Sequence, residues 1–138
     1  MTADLITWLR AQLDEDERIA RATRGLGKWS AYREGGGDGW AFEDESGEGA
    51  EAIVGDETTA RHNVRHDPAR VLREVEAKRR ILDEMATTIA GVRQVLVCDD
   101  ACECGPGDPG STCHIVRLLA LPYADQPGYR REWAPSKG

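Results

Sequence analysis

Four cysteines, Cys98, Cys102, Cys104 and Cys113, make up the chain's whole complement and fall within sixteen residues, spaced C-x3-C-x-C-x8-C. Four thiolates can close a tetrahedral zinc site that leaves no open position for substrate. The run Gly105-Pro106-Gly107-Asp108-Pro109-Gly110 lets the backbone turn tightly between the third and fourth cysteines. A short cysteine loop with little core of its own gains order from a metal. The chemistry expected here is therefore structural zinc, with His114, next to the last cysteine, as a candidate further ligand. Reduced thiols are the competing state. Cys98 follows Val95-Leu96-Val97 and could be buried as a small apolar residue. Disulfides are disfavoured by a cytoplasmic address.

His62 and His66 stand four apart, a spacing that puts both rings on one helix face. That is the geometry of the H-E-x-x-H zinc helix, but Asn63 follows His62 where the glutamate would stand. A catalytic zinc would also need a third ligand and a base. The pair could complete a site with the loop cysteines, support a metal-dependent hydrolase, or simply lie at a helix C-terminus where cations are favoured. Arg61, Arg65, Arg70 and Arg73 form a second cluster. Residues 57–93 carry 8 Lys/Arg against 6 Asp/Glu, and a positive face of this kind can contact nucleic-acid phosphates. It can equally lie against an acidic segment of this chain or of a second copy, and the intramolecular reading is preferred. The sequence contains no G-x-S-x-G, no phosphate-binding glycine loop and no Ser-His-Asp ordering. No catalytic residue is assigned, and an enzyme is not the expected class.

The charge balance weighs against nucleic acid. Residues 1–56 hold 6 Lys/Arg and 13 Asp/Glu, whereas residues 57–138 hold 12 of each, so the whole net charge of −7 sits in the first part. Polyanion binding usually needs a basic field, which only a local patch could supply here. The sequence has no apolar run of the roughly twenty residues that span a bilayer and no signal-peptide pattern at its start. The expected address is the cytoplasm, with no membrane partner.

The element that must position these groups is the stretch from Asp67 to Gly91. Asp67 suits an N-cap and Pro68 the first helical position. Val71, Leu72, Val75, the Lys78 stem, Leu82, Met85 and Ile89 recur at three- and four-residue steps, predicting a helix over 68–90. A first helix over 2–23 is drawn by Leu5, Leu9 and Leu13, with Ile6, Trp8, Ile19 and Ala20 on or beside the same face. Its acidic run Asp14-Glu15-Asp16-Glu17 reads as a solvated face answered by Arg10, Arg18 and Arg21. Residues 28–54 alternate glycine-rich turns with Lys28–Tyr32, Gly39–Phe42 and Ala52–Val54, predicting a small antiparallel sheet. The aromatics Trp29, Tyr32, Trp40 and Phe42 are expected to pack that sheet onto helices rather than to stack bases. Asp56 or Thr58 caps a short helix over 57–66, broken before Pro68. Residues 92–97 lean towards continued helix, with a buried strand as the alternative. Residues 98–113 read as a loop, followed by a helix over 114–121 and a turn at 125–129. Glu74–Lys78 and Glu76–Arg80 are expected as ion pairs one helical turn apart.

Two segments carry a resemblance. Ala60 to Leu82, with its Asp67-Pro68-Ala69-Arg70-Val71-Leu72 opening, and Leu118-Leu119-Ala120-Leu121-Pro122-Tyr123-Ala124-Asp125-Gln126-Pro127-Gly128-Tyr129-Arg130-Arg131-Glu132-Trp133 resemble a family of short actinobacterial and phage-borne proteins known only as a domain of unknown function. The likeness covers nearly the whole chain. A weaker one, through Ala22-Thr23 to Trp29 and Asp67-Pro68-Ala69, is to the Ead/Ea22-like proteins of phages. Arg24-Gly25-Leu26-Gly27-Lys28 stands where a tighter Pro-Gly-Pro is usual there. These resemblances imply a layout and a phage or mobile-element setting, and they bring no catalytic residue with them.

The expectation is one α+β domain over 1–133 with a flexible tail at 134–138. It contains two principal helices, a small glycine-rich antiparallel sheet, a cysteine-bearing loop and a short C-terminal helix. Its function would be that of a non-enzymatic, cytoplasmic binding or adaptor protein with structural zinc and an unknown protein partner. The long helix offers a homodimer surface. A nucleic-acid-associated regulator is the alternative.

Overall fold

A computed structural model of the chain describes residues 2–23, 28–33, 39–44, 52–84, 86–89, 92–95 and 114–135. In chain order these form α1 (Thr2–Ala22), β1 (Trp29–Arg33), β2 (Trp40–Asp44), β3 (Ala52–Val54), α2 (Glu57–Arg65), α3 (Pro68–Glu84), β4 (Ala86–Ile89), β5 (Val92–Val95) and α4 (His114–Ala120), with short 3-10 turns at Leu121–Tyr123 and Arg131–Trp133. The class is α+β, as the alternation of patterns predicts. The chain divides into two compact units, Glu15–Glu76 and Met1–Asp14 with Ala77–Gly138.

In the unit Glu15–Glu76, β1, β2 and β3 form an antiparallel sheet in that order. Trp29 stands opposite Asp44, and Ala31 opposite Phe42. Side chains alternate across a sheet, so Trp29, Ala31, Trp40 and Phe42 share one face. Helix α2 contacts all three strands and sets the Arg61 guanidinium 5.9 Å from the Trp40 ring centre. Trp29 stacks on Phe42 with centroids 4.9 Å apart. Among the described residues of this unit, Ala20, Ala41, Phe42, Ala60 and Val75 are buried. Glu15–Arg18 and Glu17–Arg21 answer part of the acidic run along α1, as its spacing implies.

The other unit is built on the leucine ladder. Leu5, Leu9 and Leu13 are fully buried, along with Val116 and Ala120. Leu82, Tyr123 and Trp133 are also buried. Trp8 donates its indole N–H to the Pro127 carbonyl at 3.1 Å and lies against Tyr129 and Trp133, with centroids 5.6 and 5.4 Å away. Gly128 sits beside this cluster at φ 86°, a backbone region that glycine alone enters freely. A Cβ there would stand 2.9 Å from the Trp8 indole nitrogen. Asp14 pairs with Arg79, and Arg10 with Asp83 at 2.8 Å. One cation of the basic helix, Arg79, thus lies against an acidic partner of the same chain.

Three local expectations are corrected. The long helix stops at Glu84 instead of running to residue 90, and Ala86–Ile89 pairs with Val92–Val95 as an antiparallel hairpin, Ile89 opposite Val92. Thr87, Thr88 and Ile89 are consecutive β-branched residues, stiff in a helix and well suited to a strand. With Val92 and Val95 on the partner strand, the hairpin outcompetes the helical period that Ile89 appeared to continue. Glu74 pairs with Arg70 at 2.7 Å rather than with Lys78. Lys78 instead donates to the Tyr123 hydroxyl at 3.2 Å. Ile19 is 52% exposed, off the buried stripe.

Candidate functional site

The junction of α2 and α3 gathers a group of cations. Asp56 caps α2 by accepting the Thr59 N–H at 2.8 Å. These hydrogen bonds from Thr59, first its backbone and then its hydroxyl, hold the Asp56 carboxyl below its ordinary value of 3.8. Helix α2 ends at His66, whose N–H reaches back to the His62 and Asn63 carbonyls. Pro68 then excludes a helical residue before it, and the chain restarts at Asp67. Asp67 is only 4% exposed. One oxygen accepts the Arg70 N–H at 2.7 Å and the other accepts the Trp29 N–H at 3.3 Å. A single carboxylate thus caps α3 and ties the start of β1 to it. Arg70 locks the corner from the other side, donating to the Arg65 carbonyl at 3.0 Å and to Glu74 at 2.7 Å.

This corner frames a cleft of about 550 Å3 within the unit Glu15–Glu76. Its described lining includes five cations, Lys28, Arg61, Arg65, Arg70 and Arg73. Asp67 is the one carboxylate among those lining residues, and both its oxygens are already committed to backbone donors. Trp29, Ala31 and Val64 supply an apolar wall. The cations fall into two groups. Arg61 is held by Glu57, with two guanidinium nitrogens 2.6 Å from one carboxylate oxygen, and Arg70 is held as described. Lys28, Arg65 and Arg73 make no side-chain hydrogen bond or ion pair to a described residue. Helix periodicity does not explain the grouping: α2 and α3 supply two arginines each, and the lysine arrives from the start of β1. Among the described lining residues there are thus donors in excess of acceptors, an arrangement that can bind an anion. The described lining presents no nucleophile and no paired acid and base.

The four arginines singled out by sequence therefore line one cleft. Lys28, Trp29, Ala31, Val64 and Asp67 were not anticipated as its partners. The only signals for them were the lysine preceding the first strand and the buried cap at Asp67. His62 and His66 are adjacent, their ring centroids 4.6 Å apart, and both are exposed. Among the described residues no group of three His, Cys, Asp or Glu side chains could hold a metal, so the pair has no third ligand there. His114 is the exposed first residue of α4. Cys98, Cys102, Cys104 and Cys113 lie outside the described residues, as do residues 136–138 of the tail.

Fold and cleft define a small α+β protein with a cation-lined site and no recognisable catalytic set among the described residues. No helix among them is long and apolar enough to cross a membrane. The chain belongs to the family of unknown function DUF6221, whose model matches residues 2–135. Comparison with curated proteins and with solved structures found no match.

Proposed function

We propose that this chain is a non-enzymatic binding or adaptor protein whose ligand site is the basic cleft at the α2–α3 corner. The carrying observation is the convergence of Lys28, Arg61, Arg65, Arg70 and Arg73 on one cleft, three of them without a described counter-charge. Like charges held together in a concave surface favour an arriving anion, and cleft walls focus their field. A nuclear magnetic resonance titration at low salt tests this, using inorganic pyrophosphate and the oligonucleotide dT20 as probes. Saturable shifts at Trp29, Arg65 and Arg73 are expected with at least one probe. Shifts absent with both, or spread evenly over the surface, refute it. The nucleic-acid-associated alternative draws on the same four arginines and is separated from other anions by the dT20 arm.

The structural zinc belongs to this proposal and is supported by the clustering and turn-rich spacing of Cys98, Cys102, Cys104 and Cys113. The cytoplasmic and phage-linked setting rests on the sequence and on its resemblances alone.

A further inference from the structure

Building on the reading of the cleft as an anion site, we infer that its ligand is a compact phosphorylated molecule of the nucleotide class, with phosphates held by Lys28, Arg65 and Arg73 and a planar ring against Trp29. Three observations separate this class from a longer polyanion and from bare phosphate. The first is size: about 550 Å3 lies within the range of small-molecule sites, and a nucleotide fills such a volume. The second is the surrounding charge. The unit Glu15–Glu76 holds 9 Lys/Arg against 15 Asp/Glu. Five of the nine cations line the cleft. A strand extending beyond the cleft would leave the favourable field in a unit whose composition is otherwise rich in carboxylates, whereas a compact ligand stays inside it. The third is the mixed lining. Trp29, Ala31 and Val64 offer an apolar wall that inorganic phosphate would leave unused.

The two groups of cations have different parts. Arg61 and Arg70 are already immobilised by Glu57 and Glu74, so they stiffen the wall and contribute little net charge. Arg65 and Arg73 are exposed arginines whose planar forks match two phosphate oxygens. Lys28 supplies a point charge at the start of β1.

The test is calorimetric titration of the full chain at about 50 mM salt, where screening leaves cleft electrostatics in force. The probes are ADP, UDP, inorganic pyrophosphate and dT20. The expected result is one-site binding of ADP or UDP, about tenfold tighter than pyrophosphate, the scale of one base–aromatic stack. The double variant Arg65→Ala/Arg73→Ala should lose at least about tenfold in affinity, as for a lost pair of charge-assisted contacts. Arg131→Ala, an exposed cation of the other unit, should lose none. Both arginines make no side-chain bond to a described residue, so the double variant should melt at or above the parent's temperature. Its integrity is thereby checked independently of binding. Pyrophosphate binding as tightly as both nucleotides would overturn the nucleotide class while leaving the anion site in place. So would dT20 binding with neither nucleotide doing so, in favour of nucleic acid. Binding undiminished in the double variant, or no binding of any probe, would overturn both this inference and the reading beneath it.

Discussion

Replacing Asp67 probes the corner on which the cleft depends. Its carboxylate makes two separable bonds, one to the Arg70 N–H that caps α3 and one to the Trp29 N–H at the start of β1. Loss of an N-cap costs about 1 kcal/mol. Leaving a part-buried amide without its acceptor costs about 1–3 kcal/mol, and the 3.3 Å length of the Trp29 bond places it at the low end of that range. Asp67→Ala should therefore lose about 2 kcal/mol. Asp67→Ser keeps a capping hydroxyl but is too short to serve Trp29, and should lose about 1 kcal/mol. Asp67→Asn keeps one acceptor oxygen but turns an amide N–H₂ towards one of two donors, so it should fall between the parent and alanine. Urea unfolding followed by far-ultraviolet circular dichroism measures the series. With a slope of about 1–3 kcal/mol per molar, the alanine midpoint should drop by about 1 M. Equal losses for serine and alanine would mean that the cap contributes nothing, and a serine variant as stable as the parent would mean that the Trp29 bond contributes nothing. An alanine loss within about 0.5 kcal/mol, the range of ordinary surface changes, would refute the reasoning.

Gly128→Ala should cost about 2–4 kcal/mol. It combines a positive φ with a Cβ forced onto the Trp8 indole, whose N–H bond to Pro127 must then yield; thermal melting measures it. Leu9→Ala, at a fully buried position, should cost about 2–5 kcal/mol. Ile19→Ala on the same helix, half exposed, should stay within about 0.5 kcal/mol in the same urea assay. The Asp56 carboxyl is held below its ordinary value of 3.8 by Thr59. Its contribution to α2 is therefore complete above the unfolded-state value and lost as pH falls through the lower folded one. A carboxyl carbon titration should place its midpoint below 3.8, and Asp56→Asn, also a good cap, should abolish that acid dependence. Protein purified under reducing conditions should carry about one zinc per chain and lose much of its thermal stability on chelation; no metal and an unchanged melt would remove the zinc from the proposed function.

The parts of the fold legible in the sequence were those where a single signal acts alone. Leu5, Leu9 and Leu13 announce a buried helical stripe. Asp67-Pro68 announces a break and a restart, and the glycine-punctuated aromatic pieces between 28 and 54 announce strands. Legibility fails where two signals compete. Ile89 satisfies the helical period of α3, yet it ends the run Thr87-Thr88-Ile89, whose branched side chains suit a strand. The hairpin partner that decides between them lies across Gly91, beyond the reach of a periodicity argument. The same limit applies to the site. Arg61, Arg65, Arg70 and Arg73 can be grouped along the chain, but Lys28 and Trp29 lie more than thirty residues earlier. The packing of α2 on the sheet and the carboxylate of Asp67 bring that strand to them. Lys78 shows the limit on a smaller scale. Its expected partner was one turn away at Glu74, but Tyr123, 45 residues later, receives its bond.

The unit that joins Met1–Asp14 to Ala77–Gly138 has a consequence for the time order of folding. The partners of Trp8 and Asp4 are Pro127, Tyr129, Arg130 and Trp133. A ribosome adding about 5–20 residues per second takes several seconds or more to make the intervening chain. During that interval Trp8 has left the ribosome without the carbonyl and the rings that it will meet at Pro127, Tyr129 and Trp133. The segment Glu15–Glu76, which holds the three-stranded sheet, has by then been synthesised in full. A ribosome stalled before Tyr129–Trp133 would hold a chain whose Trp8 lacks both of its ring partners there.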